Sequence, residues 1–264
     1  MAALTRLGEI SPGNALRGTA KLSRAAMPAQ PVPKRSRVGL CQSLLLLGSF
    51  CLPAAAAFDK PSDYRGGPFH DTVYDGGPQR IPGRVLCAYY DLGGEGIAYH
   101  DSDAKNNGSG GLNPADGTYL NQFRMGEGVD TSYTKYHDQI DNNPYQQVHP
   151  PEGLLYVGWT VPGEWFNMTV DVEQSGIYTI DLLYTSNAGG EIAFDLNGKK
   201  LTGPLNIRST YNAADPIAWR QWHHWDLMKD LAEVTLPKGI NVLTLHVEKT
   251  GNMNFAYMDF KLKK

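Results

Sequence analysis

The sequence has 264 residues, 19% of them charged, with 24 Lys and Arg against 27 Asp and Glu. The first 57 residues hold seven of those bases and one of the acids, so the remaining 207 carry 17 bases and 26 acids, a net charge of −9. That acidic balance argues against binding nucleic acid by neutralising phosphates.

Lys34, Arg35 and Arg37 precede an apolar run, Val38–Leu52, and then Pro53 and Ala54–Ala57. Basic residues, a short apolar run and small residues, in that order, read as a secretory signal cleaved near Ala57 and leading to a secreted or periplasmic protein. The run is too short for a comfortable membrane span, and no other stretch is long and apolar enough for one. Met27 is an alternative start. Lipidation at Cys51 is the weaker alternative, because Phe50 stands where a small residue is wanted. Cys41 and Cys51 leave with the leader, so Cys87 has no partner for an intramolecular disulfide and reads as a small buried residue.

Residues 58–83 are rich in Pro and Gly and read as an extended arm or linker, packed on the rest through Phe69 and Tyr74. Arg84–Tyr90 is expected as the first strand, Gly96–His100 as a short one, and Thr118–Arg124 as another. Asp101–Gly117 and Val129–Pro151 read as loops. Beyond them the pattern sharpens. Phe166, Met168, Val170 and Val172 alternate with Asn167, Thr169 and Asp171, which predicts a strand with one buried and one wet face. Tyr178–Tyr184 alternates in the same way apart from Leu183. Ile192–Leu196 runs into the hairpin turn Asn197–Gly198. Leu231–Leu236, Leu243–Val247 and Asn254–Leu262 follow, the last with Ala256, Met258, Phe260 and Leu262 facing one way. No segment carries a helical period. Many short strands between Gly, Pro and Asn turns predict an all-β sandwich or jelly roll, one domain over residues 84–264.

For chemistry, no carboxylate pair stands in a diagnostic motif; Glu95, Glu164 and Asp259 fit turns or solvent faces. Neither a Gly-x-Ser-x-Gly element nor a His-Glu-x-x-His metal motif occurs. Asp101, Asp103 and Asn106 are spaced like oxygen ligands of a calcium loop, but Lys105 and Leu112 interrupt the pattern, and a solvated Asx-rich loop is favoured. His223–His224 lacks a third zinc ligand. The five tryptophans fall in two clusters, Trp159 and Trp165 around the turn Pro162–Gly163, and Trp219, Trp222 and Trp225. Indole faces on loops suit the apolar C–H faces of a pyranose, and an amide such as Asn254 suits its hydroxyls.

These residues resemble the family 6 carbohydrate-binding modules. The matching pieces, in order, are Val85–Asp103, Tyr156–Val172, Ser175–Tyr184, Ala218–Trp225, Leu236–Leu245 and Asn252–Phe260. The resemblance implies a jelly roll with a loop-end cleft in which Trp159 is the platform, Tyr156 its substitute, Trp219 the opposing ring and Asn254 the hydrogen-bonding amide, with Glu95 at the rim. It implies that Trp222 and Trp165 pack inward. It also implies a structural calcium, yet Val85, Leu86, Cys87 and Ala88 occupy the positions of the usual Ile-Glu-Ala-Glu strand, and Ala256 that of a second ligand. Leu86, Ala88 and Ala256 therefore replace ligands, and no cofactor is expected. The stretch Asn106–Pro151 is a long insertion. The leading expectation is a secreted, non-catalytic domain that binds a poly- or oligosaccharide, in association with a glycoside hydrolase or a cell surface. The alternatives are an interaction domain that has lost glycan binding and a glycan-active hydrolase.

Overall fold

The computed structural model describes Pro61 and residues 63–263. The expected leader, with Cys51 and the expected cleavage point near Ala57, lies outside the described residues. Thirteen strands occur among those residues: β1 Gln79–Ile81, β2 Gly83–Leu86, β3 Tyr99–His100, β4 Thr131–Tyr133, β5 Leu155–Val157, β6 Trp165–Val172, β7 Gly176–Ser186, β8 Gly190–Leu196, β9 Lys199–Lys200, β10 Leu205–Ile207, β11 Asp226–Leu236, β12 Gly239–Lys249 and β13 Met253–Leu262. One sheet runs β1-β6-β12-β8-β10, with β3 on β6 and β9 on β8; the other runs β11-β7-β13-β5-β4, with β2 on β13. The successive long strands β6, β7 and β8, and again β11, β12 and β13, alternate between the sheets. The result is a jelly-roll sandwich. Among the described residues no helix is long and apolar enough to cross a membrane.

The alternation in the sequence builds the core. Met168 and Val170 of β6, Ile180 and Leu182 of β7, Phe194 of β8 and Leu243 and Leu245 of β12 are all 0% exposed and share one apolar cluster between the sheets. Each such side chain contributes roughly 1.5–3 kcal/mol by leaving water. Leu183, the one break in the β7 pattern, points to the other face of its sheet, because side chains alternate along a strand. There it packs with Tyr156, Trp225, Ala256 and Tyr257 in a second cluster.

The segment before residue 84 packs on the sandwich: β1 pairs in parallel with β6, Gln79 to Val170 through Ile81 to Val172, and Phe69 is buried against Tyr89 and Phe123. Three expectations are corrected. The expected strand Arg84–Tyr90 stops at Leu86 and turns into a 3-10 helix, Cys87–Tyr89. Thr118–Arg124 is a run of turns, not a strand. On β13 a register shift between Phe255 and Tyr257 moves Ala256 off the core face, so that Met253 and Phe255 continue the face of Met258 and Phe260. A bulge of this kind adds one residue and flips the parity on one side of it.

The outer face of β6 is also not wet. Asn167 and Thr169 are buried because Asp91 reaches over them, accepting hydrogen bonds from Thr169 N and Oγ1 at 2.7 Å each. Asn167 in turn donates to the Ile97 carbonyl at 2.9 Å and accepts from Thr244 Oγ1 at 2.7 Å. Cys87 is fully buried, and burial pushes its thiol up, which disfavours the nucleophilic thiolate.

Candidate functional site

A cleft of about 610 Å³ opens where four stretches distant in sequence meet. The turn after β5 supplies Trp159. The loop between β10 and β11 supplies Trp219, Trp222 and His223. The insertion supplies Leu112, Asn113, Ser132, Lys135, His137 and Ile140, and Asn252 stands at the start of β13. The surface of the cleft is mainly apolar.

Trp159 is held in a conformation unusual for a bulky residue, with φ at +50°. Its N–H donates to Asn254 Oδ1 at 3.0 Å. Asn254 Nδ2 donates to Thr185 Oγ1 at 2.8 Å and to His223 Nδ1 at 3.0 Å. That tautomer leaves His223 Nε2 to donate to Asp141 Oδ1 at 2.9 Å. Asp141 also accepts from Trp225 Nε1 at 2.6 Å and from Lys135 N at 2.6 Å. Burial works to raise the Asp141 carboxyl, but these bonds and the neighbouring His223 together hold it below the usual carboxylate range. A buried chain of side chains thus ties the Trp159 turn, the tryptophan loop and the insertion to one another.

Two glycines permit the approach. A Cβ on Gly158 would stand 2.8 Å from Asn254 Oδ1 and 3.2 Å from Tyr156 Cε2. A Cβ on Gly108 would stand 2.1 Å from the Thr131 carbonyl oxygen and 3.2 Å from Trp159 Cζ3. The insertion therefore presses its bare backbone against the edge of the Trp159 ring.

The loop that carries Trp219 is braced from beneath. Asp215 is fully buried and accepts from Arg220 Nε at 2.7 Å, Arg220 Nη2 at 2.9 Å, His224 Nε2 at 2.9 Å and Ile217 N at 3.0 Å. Burial pushes its carboxyl up, but the bonds from Arg220, His224 and Ile217 outweigh this and hold it at about 2. Arg220 reaches on to the Gln139 carbonyl at 2.7 Å. Above this bracing Trp219 is 56% exposed, a large apolar ring held in water by a rigid base.

The residues singled out in the sequence fall as follows. Trp159 and Trp219 line the same cleft. Tyr156 reaches its floor but is 3% exposed, packed against Trp159, His223 and Trp225. Asn254 is 0% exposed, with its donors and its oxygen engaged internally, so it builds the wall, and Asn252 is the amide that lines the cleft. Trp222, expected inside, is half-buried and lines the cleft as well. Trp165 is half-buried, its ring 6.5 Å from that of His100. Glu95 belongs elsewhere: it pairs with His100 at 2.6 Å and lines a separate depression with Asp101 and Asp103. The part of the insertion in the cleft wall carried no signal in the sequence beyond its length.

Oxygens of the candidate calcium loop accept hydrogen bonds from within the chain. Asn106 Oδ1 is buried and accepts from the N–H groups of Gly108, Ser109 and Thr131 at 2.9 to 3.0 Å, while Asp101 Oδ1 accepts from Asp103 N at 2.8 Å. Asp101 is raised to about 7, by burial first and then by the charges of Glu164, Asp130 and Asp103, against a hydrogen bond from Asp103 N–H. Among the described residues no group of three or more His, Cys, Asp or Glu is placed to hold a metal ion. Leu86 and Ala256, where the resemblance implies calcium ligands, pack with Trp225, and Ala88 packs with Phe69 and Phe123.

No protein-family model matches the chain, and no curated protein sequence matches it. Solved structures similar to it include several family 6 carbohydrate-binding modules. A β-1,3-glucan-binding module from Bacillus halodurans is 16% identical over 70% of this chain and 98% of its own, with a TM-score of 0.41. A module from Clostridium stercorarium in complex with cellobiose is 10% identical over 71% and 99%, with a TM-score of 0.43. A module of the Cellvibrio mixtus lichenase 5A in complex with cellotriose is 17% identical over 52% and 88%, with a TM-score of 0.37.

Proposed function

We propose that this protein is a secreted, non-catalytic carbohydrate-binding domain that takes a sugar ring into the cleft between Trp159 and Trp219. The observation that carries the reading is that these two indoles, on loops sixty residues apart, line one cleft while a buried polar network fixes the base of each. A pyranose presents C–H groups on its faces and hydroxyls on its rim. Apolar ring faces with Asn113, Ser132 and Asn252 around them match that pattern. No carboxylate lines the cleft among the described residues, whereas glycoside hydrolysis uses a pair flanking the bond to be cut; this favours binding over cleavage. An open cleft of this kind binds in the millimolar to micromolar range, about −4 to −8 kcal/mol. In this reading the domain is delivered outside the cytoplasm and holds a polysaccharide, or brings an associated glycoside hydrolase or cell surface to it.

The test is affinity electrophoresis of the purified protein through gels containing soluble polysaccharides, beside the Trp219→Ala variant. Retardation by at least one polysaccharide, abolished by that change, supports the cleft. Retardation that survives it places binding elsewhere, and no retardation in any gel removes carbohydrate binding.

A further inference from the structure

The polar lining of the cleft has a sign. In a chain whose acids outnumber its bases, the lining of the cleft holds, among the described residues, no Asp or Glu, and Lys135 is its cation. It is half-buried, and its Nζ donates to Asn113 Oδ1 at 2.6 Å and to Ser132 Oγ at 3.3 Å. Both partners are uncharged and line the cleft themselves. The ammonium also stands 4.4 Å from the centroid of the Tyr133 ring. No carboxylate lies within ion-pair distance of it among the described residues; Asp141, the nearest acid in the network, is turned to Trp225, His223 and the Lys135 backbone N–H.

Such an arrangement is costly for a site that serves only neutral sugars. Burial pulls the Lys135 ammonium below the ordinary lysine value, and the charge of Asp141 offsets part of that. A lysine has three N–H donors, and the two oxygens leave one for a group in the cleft. An anionic acceptor there forms a charge-assisted hydrogen bond, stronger than any bond from a sugar hydroxyl.

We propose that Lys135 reads an anionic substituent on the bound sugar, so that the cleft selects acidic polysaccharides over neutral ones. The inference rests on the carbohydrate reading of the same cleft and adds the substrate class. A ring carboxylate and a sulfate ester share the chemistry that Lys135 recognises, and the experiment separates them.

The test is calorimetric titration of the full chain with oligosaccharides matched in length: a neutral β-linked glucan oligomer, a uronate oligomer and a sulfated galactan oligomer. Each is measured in low and high salt, against wild type, Lys135→Met and Lys135→Gln, with thermal unfolding of every variant as a check on folding. One charge-assisted bond corresponds to about a tenfold preference for an anionic ligand over the neutral one. That preference should shrink as salt screens it and fall to about one in both variants. Preference for the uronate assigns a carboxylate, and preference for the sulfated ligand assigns a sulfate ester. Equal or tighter binding of the neutral glucan overturns the acidic selectivity and leaves the cleft reading intact. An anionic preference that survives both substitutions overturns the role of Lys135. Failure of all three ligands overturns the carbohydrate reading and this inference with it.

Discussion

The backbone N–H of Trp159 donates to Asn254 Oδ1 across 3.0 Å, a bond spanning ninety-five residues of sequence. It fixes a tryptophan at positive φ, a conformation that persists only where its surroundings over-determine it. Asn254→Ala would leave the Trp159 N–H and the Thr185 hydroxyl without this buried partner, at about 1–3 kcal/mol. A lower urea midpoint together with weaker glycan binding is expected. Unchanged affinity in a folded variant would show that the platform does not depend on this bond.

Gly158→Ala attacks the same bond from the other side. The added Cβ, 2.8 Å from Asn254 Oδ1, must displace either the amide or the turn. The expected outcome is a folded domain with reduced glycan affinity and a perturbed Trp159 side-chain resonance. A wild-type spectrum and affinity would contradict the close approach.

Trp219→Ala should separate binding from stability. The ring is 56% exposed, and surface substitutions away from caps and networks stay within about 0.5 kcal/mol. Thermal unfolding should therefore move little while glycan retardation disappears. A large fall in melting temperature would mean that the ring is structural.

Arg220→Met removes the guanidinium from a fully buried carboxylate, which keeps only His224 and the Ile217 N–H. Breaking a buried ion pair costs about 3–5 kcal/mol, and the loop that carries Trp219 should loosen first. Limited proteolysis is expected to cut between residues 208 and 225 in the variant and not in the wild type. Equal resistance would show that the pair at 2.7 Å is not what braces the loop.

Stability should also depend on pH in a defined direction. Burial raises Asp91 to about 6 against hydrogen bonds from Thr169 and Tyr64, and Asp101 is raised to about 7. A carboxyl raised above its unfolded value near 3.9 stabilises the fold fully below that value and loses the contribution as pH rises through 6 to 7. Asp215, held at about 2, acts in the opposite sense: its contribution is present above about 4 and is lost as pH falls through 2. The urea midpoint should therefore decline between pH 4.5 and 7.5, and Asp91→Asn should flatten that decline. A midpoint that rises across the window would contradict the assignment.

The sandwich was legible because one periodicity carried it. Met168 and Val170, Ile180 and Leu182, and Leu243 and Leu245 alternate with polar residues and meet in one core, a pattern that few other arrangements satisfy. What escaped was decided by distant partners. Asn167 and Thr169 look solvent-facing until Asp91 and Ile97 cover them. Ala256 looks like a core position until a bulge changes the parity of β13. In the candidate site, Trp159 and Trp219 stand out in the sequence because aromatic rings on loops are conspicuous. The type of Asn254 fits a sugar ligand and an internal clamp equally, and its burial and internal bonds come from partners distant in sequence. Lys135, in a polar stretch without a pattern, becomes part of the cleft only through long-range contacts of the insertion, such as Gln147 N and Val148 N with the Trp225 carbonyl at 3.0 Å.

The most direct test of the cleft is a titration of protein labelled at its five indole nitrogens, followed by NMR as oligosaccharides are added, with each resonance assigned by a Trp→Phe variant. The Trp159 and Trp219 signals are expected to move together along a saturable curve, while Trp225, buried and bonded to Asp141 at 2.6 Å, stays in place. Saturable shifts confined to Trp165, or no shift of Trp159 and Trp219 with any oligosaccharide, would contradict it.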